Sequence, residues 1–255
     1  MFWLIGHSQE ISRRTKKAFM SSHYLYLLLD IGVILFPFLL SFDKKVHYVS
    51  KWKYTLGGIL AIGIPFLVHD YYFTAKEIWG FNETYLSGPH LLNLPIEEVL
   101  FFVVVPFSCT FIYACVRAYF PKVNFELFNK ICYPILVIYG LVVLIMGWGN
   151  WYSTMVALIA LPMILGFWYK HQNYNFLPLS FVLSILPFFV MNSALTGSFT
   201  PEPIVWYNDT ENLGFRWGTI PVEDILYSFI LVAGNIWVYK RLLEWQEKRN
   251  MSGVG

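Results

Sequence analysis

The chain has 255 residues, of which 57% are hydrophobic and only 13% charged, where a soluble domain carries about 25% charged residues. Its net charge is +2 and its aromatic share 20%; no basic patch is interleaved with aromatics, so nothing points to nucleic acid. The composition is that of a membrane protein and leaves no room for a separate soluble domain.

In chain order, the segment Met1 to Ser22 carries Arg13, Arg14, Lys16 and Lys17 but no apolar core of its own, so it does not read as a cleavable signal. Translation from Met20 in place of Met1 is an open alternative. Seven apolar runs long enough to cross a bilayer follow, at 24–42, 54–70, 95–116, 131–148, 151–169, 176–196 and 221–239. They lack period-two alternation, which excludes the strands of a barrel and predicts helices. Pro37, Pro65, Pro106, Pro134, Pro162 and Pro187 fall inside the runs, as membrane helices tolerate. Cys109, Cys115 and Cys132 match no metal or disulfide spacing and read as buried thiols.

Basic residues give an orientation. The N-terminal side of the spans carries 6 Lys and Arg and the opposite side 12, which places the second side, with the C-terminus, in the cytoplasm. The four basic residues before the first span oppose this, unless translation starts at Met20.

Two short segments nearly repeat each other. Asn93-Leu94-Pro95-Ile96-Glu97-Glu98-Val99-Leu100-Phe101-Phe102 and Thr219-Ile220-Pro221-Val222-Glu223-Asp224-Ile225-Leu226-Tyr227-Ser228 each set an acidic pair two residues after a proline, at the head of an apolar run. Proline suits a first helical turn, so each pair is expected at a helix N-terminus. Pro95 and Pro221 are 126 residues apart, and that offset lays the first three spans on the last three. The predicted fold is therefore all-α and polytopic, with about seven transmembrane helices: two parallel three-helix repeats joined by a linking helix. Its parts are an extension (1–23), a first repeat (24–118), the linking helix (119–149), a second repeat (150–240) and a cytoplasmic tail (241–255). The odd helix keeps the repeats parallel, so both acidic pairs start on one side and converge. Asp30, His69, Asp70, Asn192, Ser193 and Thr196 fall at the same depth.

A carboxylate at a helix N-terminus is stabilised by the dipole and by backbone N–H groups, so capping is the bland reading. Two adjacent acids, about 100° apart on a helix, cannot both cap equally well, and the pattern occurs twice. An aromatic residue, Phe101 or Tyr227, follows one turn behind each pair. These features favour function. For His69 an interfacial polar role outweighs metal ligation, because no second histidine stands at ligand spacing; no metal site is expected. Asn192 and Asn235 read as helix-joining hydrogen-bonders. Asp30 and Asp70 are balanced between the two readings.

Carboxyls facing aromatics in an apolar cavity suit one kind of chemistry. A buried carboxyl tends to keep its proton and acts as a general acid towards a weak base. A hydrocarbon double bond is such a base. The resulting carbocation is stabilised by π faces and a second carboxylate, and water is excluded. This describes a redox-neutral cyclisation or isomerisation of a lipid-soluble polyene. The chain has no GxGxxG, no GxxxxGK[ST] and no lysine within the last span for a Schiff base, so no cofactor is expected.

Leu94-Pro95-Ile96-Glu97-Glu98-Val99-Leu100-Phe101-Phe102, Trp79-Gly80-Phe81-Asn82 and Gly218-Thr219-Ile220-Pro221-Val222-Glu223-Asp224 resemble the small integral-membrane lycopene cyclases. These occur as half-chains or fused chains in bacteria and joined to phytoene synthase in fungi. The resemblance runs from about Tyr24 to Tyr239. It implies conversion of the ψ ends of lycopene into β-rings, through γ-carotene to β-carotene, in a membrane such as the bacterial inner membrane. Glu97, Glu98, Glu223 and Asp224 inherit the catalytic expectation; Asp30, His69, Asp70, Phe101, Phe102, Asn192 and Tyr227 are expected to support the pocket. The implied partners are the carotenoid and membrane lipid. Self-association, or contact with other carotenoid enzymes, is left open. His69 stands where the family has tryptophan, and Ala114 where many members carry glutamate, departures that bear on pocket shape. Two alternatives are a cyclase of another acyclic carotenoid and a proton-coupled carrier using the acids as a relay.

Overall fold

A helix satisfies most backbone donors and acceptors of an apolar run within the run itself, and each run folds as a helix. A computed structural model describes residues 23–252; the Met20 start and nearly all of the N-terminal extension lie outside the described residues. Seven α-helices follow in order among these: α1 (Leu25–Leu40), α2 (Trp52–Ala75), α3 (Ile96–Tyr119), α4 (Glu126–Met146), α5 (Trp151–Tyr169), α6 (Leu177–Leu195) and α7 (Asp224–Ser252). Helices α2 to α6 are long and apolar enough to cross a membrane. Helix α1 is apolar but has 16 residues, about 24 Å against a hydrocarbon core of about 30 Å. Helix α7 begins on Asp224 and ends in a charged stretch, and so falls outside those five.

Several boundaries differ from the apolar runs, because helix is set by hydrogen bonding and not by hydropathy. Helix α2 continues five residues beyond Asp70, so His69 and Asp70 lie inside it. Helix α4 begins at Glu126, where Asn124 Oδ1 accepts the Glu126 N–H at 2.9 Å and Lys130 pairs with Glu126 at 2.7 Å. Pro95 and Pro221 do not occupy first turns: Pro95 is the extended residue before α3, and both prolines sit in two-residue strands. All six internal prolines stay helical. Pro37 deprives the Val33 carbonyl of its donor, and Ser108 Oγ of α3 supplies one at 3.1 Å.

The short strands fix how the helices meet. They are β1 (Trp79–Phe81), β2 (His90–Leu91), β3 (Leu94–Pro95), β4 (Val205–Tyr207), β5 (Arg216–Trp217) and β6 (Ile220–Pro221). Hairpin β2–β3 sets His90 opposite Pro95, and β5–β6 sets Arg216 opposite Pro221, the same register 126 residues on. The left-handed turn residue is Leu92 (φ 60°) in the first hairpin and Gly218 (φ 64°) in the second. Strands β1 and β4 pair antiparallel, Trp79 opposite Tyr207, Gly80 opposite Trp206 and Phe81 opposite Val205. A shift of 126 residues exchanges the two outer pairs, so a pseudo-two-fold axis passes through Gly80 and Trp206. A Cβ on Gly80 would run into the Trp206 indole, which explains the glycine there. Flanking bonds obey the same axis: Asn82 N–H donates to the Ile204 carbonyl at 2.8 Å, and Asn208 N–H to that of Ile78 at 2.9 Å.

The β1–β4 pair puts the loops after α2 and α6 at one end of the bundle, so α3 and α7 start together there. The halves interlock: α2 packs against α7 and α6 against α3, while α1 lies on α3 and α5 on α7. At the α2–α7 crossing a Cβ on Gly58 would come within 3.1 Å of the Asn235 carbonyl, so glycine allows the close approach. Helix α4 lies outside this arrangement, against α5 and α6. Cys109 is buried, Cys115 and Cys132 are half-buried, and all three are free thiols.

Candidate active site

The two acids of each pair point to different places, as their 100° separation requires. The first acid of each reaches back to the preceding loop. Glu97 Oε1 accepts the Ser87 N–H at 2.7 Å, and Glu223 Oε1 accepts the Leu213 N–H at 2.8 Å. Glu223 Oε1 also takes the Ser153 hydroxyl at 2.5 Å. Neither carboxyl caps its own helix; each ties down a loop ten residues upstream. The second oxygens, Glu97 Oε2 and Glu223 Oε2, are buried without a donor.

The second acid of each pair faces a narrow cleft of about 40 Å³ between the halves, lined by Asp70, Glu98, Phe101, Asn192, Asp224 and Tyr227 among others. The Tyr26 hydroxyl donates to Glu98 Oε2 at 2.6 Å. Its counterpart by the 126-residue offset, Tyr152, donates to Asp224 Oδ1 in a short hydrogen bond. Asp224 Oδ2 accepts two more donors, Asn192 Nδ2 at 2.6 Å and the Tyr207 hydroxyl at 3.1 Å. Burial, followed by the charge of Asp224, pushes the Tyr207 phenol well above its ordinary range, so it stays a donor. Asp70 Oδ1 takes the Tyr227 hydroxyl at 3.4 Å, while Asp70 Oδ2 meets no N–H or hydroxyl donor. The Asp70 and Glu98 carboxyls both line this narrow cleft.

Aromatic faces enclose this group. Around the Tyr227 ring stand Phe66, His69, Trp79 and Tyr152, at centroid distances of 5.0, 6.0, 6.1 and 6.2 Å. Tyr152 stacks on Tyr207 at 5.9 Å. Such faces stabilise a cation held among them.

The expected residues thus separate. Asp70, Glu98, Phe101, Asn192, Asp224 and Tyr227 meet in the cleft. Glu97 and Glu223 stand behind it. Asp30 is 1% exposed, with no partner for either oxygen. Phe102 packs behind Phe101 and Phe66. His69 lines an apolar groove beside the cleft, its ring against Phe73 at 3.9 Å. Among the described residues no group of three His, Cys, Asp or Glu side chains is placed to hold a metal ion. Sequence reasoning missed Tyr26, Tyr152, Tyr207 and Trp79. The 126-residue offset carried the signal for the first two, since it lays tyrosine on tyrosine at 26 and 152.

Two apolar grooves border the cleft and share lining residues with it. One, of about 380 Å³ between α2, α5 and α7, shares Tyr152 and Tyr227 with it. The other, of about 470 Å³ between α1, α3 and α6, shares Phe101, Phe188 and Asn192. The pseudo-two-fold axis exchanges them: Ile62, Met155, Ile159 and Tyr227 of the first correspond to Phe188, Leu29, Val33 and Phe101 of the second.

No curated protein and no solved structure matches this chain. The family model described as lycopene cyclase matches twice, over residues 23–116 and 149–242, and these two stretches stand in the same 126-residue relation as the halves of the cleft. With most of its length matched in this way, the chain belongs to the lycopene cyclase family.

Proposed function

We propose that this chain is a lycopene β-cyclase, closing the ψ ends of lycopene into β-rings through γ-carotene to β-carotene. The observation that carries this reading is the meeting of three carboxyls, Asp70, Glu98 and Asp224, in an aromatic cleft bordered by two apolar grooves. A linear polyene has the chemistry for that place. Its body lies in an apolar groove, each groove falling in the usual volume range of small-molecule sites, and its end reaches the carboxyls. One carboxyl protonates the terminal double bond, the aromatic faces stabilise the cation, and another carboxylate takes a proton from the closed ring. One proton enters and one leaves, so the conversion needs no redox partner.

All seven helices span the membrane in this reading, α1 and α7 included, with the C-terminus in the cytoplasm of a bacterial cell and the acidic cleft toward the opposite side. The 12-to-6 distribution of basic residues supports that orientation. Expression in lycopene-accumulating bacteria followed by pigment chromatography tests the function. Lycopene should fall and β-carotene appear. Unchanged lycopene in cells containing the folded protein would refute the proposal.

A further inference from the structure

The pseudo-two-fold axis allows the two cleft acids to be compared residue by residue. Both accept a phenol from the first helix of their own half, Tyr26 for Glu98 and Tyr152 for Asp224. Beyond that the halves diverge. Asp224 has two further donors, Asn192 and Tyr207; the corresponding positions in the other half are Phe66 and Phe81, which donate nothing. Glu98 shares the cleft instead with a second carboxyl, Asp70, one oxygen of which meets no donor, and the position corresponding to Asp70 in the other half is Thr196. Three replacements across one axis therefore surround one acid with donors and pair the other with a second acid.

These surroundings have opposite chemical meanings. A carboxylate only accepts hydrogen bonds, so a group whose oxygens are all met by O–H and N–H donors is built to be held ionised. Two like charges sharing a narrow buried cleft are strongly disfavoured, and a proton held by one of the two carboxyls removes the repulsion. Environments that separate two acids in this way separate their roles.

We infer that the Glu98–Asp70 pair is the proton donor of ring closure and that Asp224, held by Tyr152, Asn192 and Tyr207, is the base that ends it. The inference rests on the cyclisation reading above. In the first step the pair's carboxyl O–H bond breaks, and the π electrons of the terminal C1=C2 bond take the proton at C2. The electrons of C5=C6 then form the C1–C6 bond, leaving the cation at C5. Asp224 removes the proton on C6, and the C–H electron pair restores C5=C6 as the β-ring double bond. Loss of a proton from C4 would give an ε-ring, and loss from the methyl group on C5 a ring with an exocyclic double bond. The base that stands at C6 therefore decides the ring type. Tyr207 and Asn192 act as positioning residues through Asp224.

The test compares two sets of variants in lycopene-producing bacteria, with folded protein, ring yield and ring type measured for each. Asp70→Asn and Glu98→Gln should lower ring formation by at least about 100-fold, the range for loss of a general acid, and any residual product should carry β-rings alone. Asp224→Asn, Asn192→Leu and Tyr207→Phe should release ε or exocyclic rings beside β-rings, most in Asp224→Asn. Tyr207→Phe and Asn192→Leu keep the carboxylate and so retain ring closure if Asp224→Asn fails to fold. Altered ring type on the Glu98 side, β-rings alone from all three Asp224-side variants, or loss of all closure in Tyr207→Phe would overturn the assignment. Failure of the unaltered chain to cyclise lycopene would instead refute the cyclisation reading itself.

Discussion

The two halves of this protein share one backbone plan and differ in what surrounds the acid each contributes. Hairpins, loop clamps, phenol donors and grooves all recur at a 126-residue displacement. At the cleft the halves differ in Asp70 against Thr196, Phe66 against Asn192, Phe81 against Tyr207, and Glu98 against Asp224. Symmetry of the scaffold brings two carboxyls to one place, and asymmetry of their neighbours gives them different work. A strictly symmetric cleft would hold two acids of equal proton affinity, a poor arrangement for a reaction in which one group gives a proton and another takes one.

The comparison is sharpened by giving one half a feature of the other. Phe81→Tyr supplies the Glu98 side with the phenol that Tyr207 supplies to Asp224. A carboxylate accepts such a donor more strongly than a carboxylic acid does, so the new phenol favours the ionised pair and depletes the protonated one. Ring closure should slow by about tenfold, corresponding to about 1.4 kcal/mol, just under the range for a hydrogen bond to a charged group. The measurement is the initial rate of β-ring formation in vesicles; an unchanged or faster rate would count against an unequal division of the two acids.

A smaller effect is expected at the loop clamps, where the halves also differ. Glu97 Oε1 accepts one donor, while Glu223 Oε1 accepts two because Ser153 adds its hydroxyl. Glu223→Ala should therefore destabilise the folded protein more than Glu97→Ala, by about 1 kcal/mol for the additional hydrogen bond. Denaturant unfolding in detergent reads the difference; equal midpoints would show that the Ser153 contact contributes nothing.

Much of this was legible from the residues. The helices were visible because an apolar run of bilayer length has few other ways to satisfy its backbone, and the doubled Pro-acid-acid motif exposed the repeat. Proline placement misled, since a residue that suits a first turn also suits the extended bend before one: Pro95 and Pro221 sit in strands, and the first acids reach a loop and not their own helix ends. The donors to the cleft acids were harder to see. Tyr26 and Tyr152 are two among 17 tyrosines, and Tyr207 lies in a loop with no periodic pattern, brought to Asp224 by a three-residue strand paired across the repeats. Asn192 carries two readings in the sequence, a helix-joining residue and, through the resemblance, a support of the pocket. It does join helices α6 and α7, but through the carboxylate of Asp224.

The central claim is that ring closure begins with a proton from a carboxyl of the cleft, and the most direct measurement is cyclisation of unlabelled lycopene by the purified protein in D₂O. A carboxyl that exchanges with solvent should place one deuterium in each new ring, on the C2 carbon beside the dimethyl-bearing carbon, as read by mass spectrometry and NMR. Rings that form at the normal rate without deuterium would contradict the claim.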